Sequence, residues 1–420
     1  FCRKSSRMSV LFKNLSFVEG GKVNSPANFI LEGKNLTPAP SEIDSTKFKT
    51  IDCSDFLASK GWIDLRCGLG EPGQEYRESI ESLAKGLTAS GFVKAVIMPN
   101  TDPVLQSKNE VDFVLNRSKK YPVQFEVMGA VTKNTLGDDL TEILDMHFQS
   151  GVRIFGDGIK TLANSDRYMK ILQYLQKFDG VLFDHAYDPL LAIFGQMHEG
   201  EVSTKLGMKG IPSLSEYVAI QRNLEIIRYA GGKAHFQTLS TAEGVELIRK
   251  AKKEGLQVTS DVSIYQLIFR DEDLVEFDPN FKVKPPFRGE SDRKALIKGL
   301  KDGTIDAIVS NHQPQDFDSK FAEFDLASFG MAGLQTFLPA MSQLSQELGW
   351  GLLIEKVTQG PSKIAGEVPG SFTIWNPEET WKFDEKSNHS LSSNNPWFGQ
   401  ELRGKVKFVV FEGKLIRIDE

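Results

Sequence analysis

The chain has 420 residues, 40% of them hydrophobic and 25% charged, with a formal net charge of −6. That length and composition belong to a globular protein with a large core, and the lack of any basic excess argues against a nucleic-acid or anionic-membrane surface. Three cysteines, Cys2, Cys53 and Cys67, are too few and too scattered for a disulfide or zinc framework and read as reduced thiols of a cytoplasmic protein.

No run approaches the roughly 18 apolar residues of a membrane span. The leading residues Phe1 to Arg7 lack the apolar core of a signal peptide and read as upstream sequence outside the fold. From Met8 to about residue 59 come brief β-rich runs, Val10-Leu-Phe, Ser16-Phe-Val and Asn28-Phe-Ile-Leu, broken by Gly20-Gly21 and Glu32-Gly33. Between 60 and 364 strand-like and helical segments alternate. The strand-like runs are Ile63-Asp-Leu, Ala95-Val-Ile-Met, Val123-Gln-Phe-Glu-Val-Met, Val152-Arg-Ile-Phe, Val181-Leu-Phe, Ala234-His-Phe, Gln257-Val-Thr-Ser-Asp-Val and Ile305-Asp-Ala-Ile-Val. A helix is expected to open near Glu75, and another after a Ser240-Thr241 cap, with Val245, Leu247, Ile248 and Ala251 toward one face. Eight such units predict an α/β fold, a (β/α)8 barrel over 60–364, and the missing Gly-x-Gly-x-x-Gly disfavours a dinucleotide fold. β-rich texture returns at Ser371-Phe-Thr-Ile-Trp, Trp381-Lys-Phe and Val406-Lys-Phe-Val-Val-Phe, so 8–59 and 365–420 are expected to pair into one small β-sandwich.

In such a barrel the chemistry sits at the carboxyl ends of the strands. Those ends read Asp64-Leu-Arg-Cys-Gly-Leu-Gly-Glu-Pro-Gly73, Met98-Pro-Asn-Thr101, Phe155-Gly-Asp-Gly158, Asp184-His-Ala-Tyr-Asp-Pro189, His235-Phe-Gln-Thr-Leu-Ser-Thr241, Lys284-Pro-Pro-Phe-Arg288 and Ser310-Asn-His-Gln-Pro-Gln315.

These motifs resemble those of dihydroorotase-like cyclic amidohydrolases of the amidohydrolase superfamily, over essentially the whole chain from Met8. The family's first strand ends in Asp-x-His-x-His followed by Leu-Arg-Glu-Pro-Gly. Here Arg66 and Gly68 stand in place of the two metal-binding histidines and Gly70 in place of the arginine. Asn100 matches the family's substrate asparagine. Relatives place Asp-Asp-Gly after the fourth strand, one aspartate binding metal; Asp157 survives beside Gly156. His185 matches a ligand histidine, Thr238 replaces another, Lys284 replaces a substrate asparagine, and Arg288 matches its motif. Asn311 replaces the aspartate that is both metal ligand and general base, and Gln315 replaces a histidine three positions after the retained His312. The loop from Glu199 through Gly210-Ile-Pro to Arg222, and Ser328-Phe-Gly-Met-Ala-Gly, are also family-like.

The resemblance therefore implies a binuclear zinc site that is degenerate here. Only Asp157 and His185 remain of its ligands, Asn311 cannot titrate, and Arg66 brings a fixed charge to the metal position. The expectation is a pseudo-dihydroorotase of the pyrimidine-synthesis type without a cofactor. It would be a homo-oligomer serving as a scaffold or regulatory subunit of aspartate carbamoyltransferase. The alternative is an active hydrolase of a dihydroorotate-, hydantoin- or allantoin-like ring with a rebuilt site and zinc. Against that, Tyr187, Lys284 and Asp316 form no nucleophile–base pair. Plainer roles are weighed alongside: His185, His235 and His312 as hydrogen-bonded barrel histidines, Asp157 as a turn cap, and Asn100 as a turn residue. Arg66 is expected to reach Asp157 as an ion pair, with Asn311 or Thr238 completing the set.

Overall fold

The computed structural model describes residues 9–40 and 42–418, so Cys2 and the reading of residues 1–7 lie outside the described residues. Eight parallel strands form the barrel: Trp62–Cys67, Phe92–Ile97, Gln124–Val127, Ile154–Phe155, Val181–Asp184, Lys233–Phe236, Val258–Ser263 and Ala307–Val309. The first three pair in order, as do the last five. Parallel bridges Gly129–Phe155 and Cys67–His312 close the two arcs into a ring. Alternation decides what each strand shows to which side. Ile63, Leu65, Val96, Met98, Ile154 and Phe183 fill the interior, while their neighbours Ala95, Ile97, Leu182 and Phe236 pack outward with the helices.

The helices start where side chains satisfy their first amides. The first runs from Ile80 to Ala89, not from Glu75. Ser79 and Ser82 form a reciprocal capping box, and Glu71 Oε2 accepts the Ile80 N–H at 2.8 Å. The helix Ala242–Lys253 opens on Thr241, whose hydroxyl accepts the Gly244 N–H, and buries Val245, Ile248 and Ala251. Leu247 is only half-buried.

The two chain ends meet in one nine-stranded sheet. The runs at Val10 and Ser16 prove to be one strand, Val10–Glu19, carrying an irregularity between Phe12 and Leu15. Strand Phe372–Lys382 pairs antiparallel with Leu57–Lys60, which leads directly into the barrel. Glu401–Phe411 and Lys414–Arg417 form the last hairpin, turning through Glu412 and Gly413 at φ 48° and 81°. Phe12, Leu15, Ile374 and Val410 make its own core. No described helix is long and apolar enough to cross a membrane.

Candidate functional site at the barrel mouth

Arg66 occupies the middle of the mouth with 0% of its surface exposed. It gets there through a bulge. Asp64 pairs with Ala95 and Cys67 with Ile97, so the first strand carries one residue more than its partner between these points. Bulges re-aim side chains at strand ends. Here Leu65 packs in the barrel interior, and the next side chain also turns inward, across the mouth. Arg66 Nε donates to Asn311 Oδ1 at 2.9 Å, and Nη1 donates to Gln237 Oε1 at 2.6 Å and to the Gly158 carbonyl at 3.2 Å. One guanidinium thus ties together the ends of the first, fourth, sixth and eighth strands. Burial lowers its pKa to about 10, opposed by the charges of Asp261 and Asp64, and it stays cationic at neutral pH.

The expected Arg66–Asp157 ion pair does not form. Asp157 turns toward the loop after the third strand. Its Oδ1 accepts the Val131 and Thr132 N–H groups, each at 3.1 Å, and Oδ2 accepts the Thr132 hydroxyl. Three donors satisfy the carboxylate without an arginine, which is why the geometry prefers this arrangement. Burial still pushes its pKa up to about 6. Asn100 braces the same turn from outside: Nδ2 donates to the Asp157 carbonyl at 3.1 Å, and Oδ1 accepts the Ile159 N–H at 2.9 Å.

His185 and Thr238 do meet, with Nδ1 and the threonine hydroxyl 3.1 Å apart. Burial, then Arg66 and Lys284, hold the His185 imidazole well below its usual range, so it is neutral. Lys284 lies with Nζ 3.8 Å from the Tyr187 ring centroid, and burial lowers its pKa to about 8. Asp261 accepts the Thr238 N–H at 2.6 Å and pairs with His235 Nε2 at 2.8 Å. His312 points away from this group. Its Nε2 lies 3.1 Å from Glu78, which also takes the Ser82 and Ser390 hydroxyls. Arg288 is remote as well, donating to Ser240 Oγ at 3.1 Å and the Ile211 carbonyl at 2.6 Å.

The two glycines are built into the backbone. A Cβ on Gly68 would lie 2.8 Å from the His312 carbonyl oxygen, and one on Gly70 would lie 2.2 Å from that of Gln74. Gly68, Gly70, Asn100, Gln313 and Gln315 line a cavity of ≈ 70 Å³. Ligand pockets run to about 300–1,000 Å³, so this is space for a couple of waters.

Gln237, Arg66's closest partner, was not among the expected site residues. Period-two alternation would have found it, since His235 faces inward and Gln237 is two positions on. The donors here do not fit a binuclear metal centre. Among the described residues no group of three or more His, Cys, Asp or Glu is placed to hold an ion, Asp157 is fully committed to the third-strand loop, and a cationic side chain spans the gap.

The comparisons with known proteins agree on ancestry. The Dihydro-orotase-like family pattern matches residues 57–244. The dihydroorotase of Syntrophus aciditrophicus is 32% identical over 95% of this chain and 98% of its own. That of Carboxydothermus hydrogenoformans is 34% identical over 97% of both chains. Among solved structures, the L-hydantoinase (dihydropyrimidinase) from Arthrobacter aurescens superposes with a TM-score of 0.84 over 97% of this chain and 96% of its own, at 21% identity. The dihydropyrimidinase from Brevibacillus agri gives 0.81 over 98% and 95%, at 16% identity. These two share the barrel-and-sandwich fold. With relatives matched end to end at about a third identity, the chain belongs to the dihydroorotase family of cyclic amidohydrolases.

Proposed function

We propose that this family member is a pseudo-dihydroorotase. It binds no zinc at the barrel mouth, does not open or close the dihydroorotate ring, and acts as a scaffold or regulatory subunit of pyrimidine synthesis. The observation that carries the reading is the buried Arg66 guanidinium, held by Asn311 and Gln237 where metal-dependent hydrolysis would need an ion and a base. A dication placed beside that fixed positive charge would meet repulsion in a site with little water to screen it. The asparagine at 311 cannot take a proton from water, and burial together with the charges of Arg66 and Lys284 makes His185 a weak base.

A scaffold role accounts for a barrel kept whole around a mouth without its chemistry. Aspartate carbamoyltransferase is the proposed partner, and the protein is proposed to self-associate. Exposed Leu190, Phe194 and Leu214, at 76%, 75% and 51%, support such contacts. Elemental analysis of the purified protein, beside a dihydroorotate assay with and without added zinc, tests the first part. Stoichiometric zinc that survives chelation, or turnover, would overturn it. Co-elution with the aspartate carbamoyltransferase of the same organism in size-exclusion chromatography tests the second, and separate elution at micromolar concentration counts against it.

A further inference from the structure

A second concavity lies away from the barrel mouth. It is a groove of ≈ 720 Å³ where the last strands of the sandwich lie over the barrel's outer helices. Its walls are apolar: Ala84 from the helix Ile80–Ala89, Leu338 and Pro339 from the helix Phe337–Val357, and Trp381, Val406 and Ile416 from three different strands. The three strands are adjacent in the sheet, with Trp381 opposite Leu402 and Ile416 opposite Val409, so the groove crosses two strand spacings, roughly 10 Å, and also runs along the strands. Gly404 makes the inner wall possible. At φ 101° it brings its strand so close to the helix that a Cβ would sit 2.4 Å from Ser342 Oγ. The Trp381 indole is fixed by a 2.8 Å hydrogen bond to the Gly404 carbonyl.

Cations dominate the lining at the rim. Lys85, Lys382, Lys386, Lys405 and Arg417 line the groove, and no aspartate or glutamate does, in a chain whose net charge is −6. Four separate segments supply these cations. Lys85 pairs with Glu81 at 2.7 Å, Lys382 with Asp384 at 3.9 Å and Lys405 with Glu379 at 3.7 Å. The Lys85–Glu81 pair is solvent-exposed and weakly held, whereas Lys405–Glu379 is partly buried and Glu379 also pairs with Lys407 at 2.9 Å. His389, also in the lining, is lowered below its usual pKa by burial and then by Lys85, so it feels the same positive field. Apolar walls with a few polar groups at the rim are the general form of a small-molecule site.

We infer that this groove between sandwich and barrel binds a free single-chain amphipathic anion, its apolar body lying on Trp381, Ile416 and Ile418 and its carboxylate or phosphate head among Lys382, Lys386 and Lys85. The site is independent of whether the barrel mouth is active.

Titration calorimetry on the full chain provides the test, with dodecanoate, dodecyl phosphate, dodecanol and acetate as probes, all below micelle concentrations. Dodecanoate or dodecyl phosphate is expected to bind one per chain, the tighter of the two naming the head group, with dodecanol about tenfold weaker or worse and acetate silent. Binding should raise the His389 pKa, followed by NMR, because a bound anion offsets the field of Lys85. The double variant Lys382→Glu/Lys386→Glu alters exposed side chains only and should lower the affinity by about tenfold or more. Equal binding of dodecanol, affinity unchanged in the double variant, or no binding of either long-chain anion would each overturn the inference. So would co-sedimentation with anionic phosphatidylglycerol vesicles without binding of the free probes, which would make this a membrane-facing surface.

Discussion

Arg66 is a buried cation with neutral partners, and that decides how its replacements behave. Removing it leaves the Gln237 amide oxygen and the Gly158 carbonyl without their donor. In Arg66→Ala a cavity adds to these losses, for an expected cost of about 3–5 kcal/mol. Arg66→Met keeps much of the volume and avoids desolvating a charge, so it should cost only about 1–2 kcal/mol; urea midpoints of both variants check the order. Asn311→Asp is expected to give no dihydroorotate turnover. The new carboxylate would sit where Oδ1 now accepts Arg66 Nε at 2.9 Å, and a guanidinium at that distance keeps it ionised and a poor base. Lys284 supplies a pH signature. Its folded pKa of about 8 lies below the unfolded value of about 10.4, so between these the unfolded chain holds more protons and stability rises with pH. That contribution is present in full above the unfolded value and is lost as pH falls through about 8. Lys284→Met should flatten the rise of the urea midpoint across the window.

At the scale of elements, the turns after the strands set what the mouth can become. Gly70 is packed against the carbonyl oxygens of Gln74 and Glu78, which a Cβ would approach to 2.2 and 2.7 Å. Gly70→Ala should therefore cost about 1–3 kcal/mol in a denaturant titration, although alanine is the smallest change available. Restoring a longer family side chain there, or a histidine at Gly68, would need the loop itself to move. The departures from the family motifs are read from the resemblance, because each falls inside a recognisable frame such as Leu69-Gly-Glu-Pro-Gly73 or Ser310-Asn-His-Gln-Pro-Gln315. The eight strands were legible because buried apolar runs alternate with helical periodicity. The geometry among them was not. The bulge between Asp64 and Cys67 has no local signature in Leu-Arg, and it is what sends Arg66 to Gln237 and Asn311. Asp157 was matched to Arg66 by charge, yet two backbone amides and a threonine hydroxyl reach it first, and backbone donors are invisible to a reading of side chains. The helix expected to open near Glu75 starts later, at Ile80. The Ser79–Ser82 box and the Glu71 carboxylate settle it five residues later.

The whole molecule is joined by aromatic side chains at the foot of the barrel. Trp62 begins the first barrel strand, Trp375 lies in the sandwich strand Phe372–Lys382, and Trp350 lies in the helix Phe337–Val357. The rings of Trp62 and Trp375 are 5.3 Å apart, those of Trp350 and Trp375 5.5 Å, and the chain of contacts continues through Phe92 to Phe337 at 6.1 and 5.0 Å. Trp375 therefore belongs to the barrel's core cluster although its backbone belongs to the sheet, and Trp62 and Trp375 are both 0% exposed. A seam of this kind couples the two layers, because neither can expose its side without opening a large apolar surface on the other. Trp375→Ala is expected to cost about 3–5 kcal/mol. The loss should appear equally in the barrel. Hydrogen exchange of amides in the first and second barrel strands should accelerate by the same free energy as those of the sheet, in a single urea transition. Two separate transitions, with barrel amides keeping their protection while the sheet opens, would show that the sandwich is an independent attachment and that the seam does not couple them.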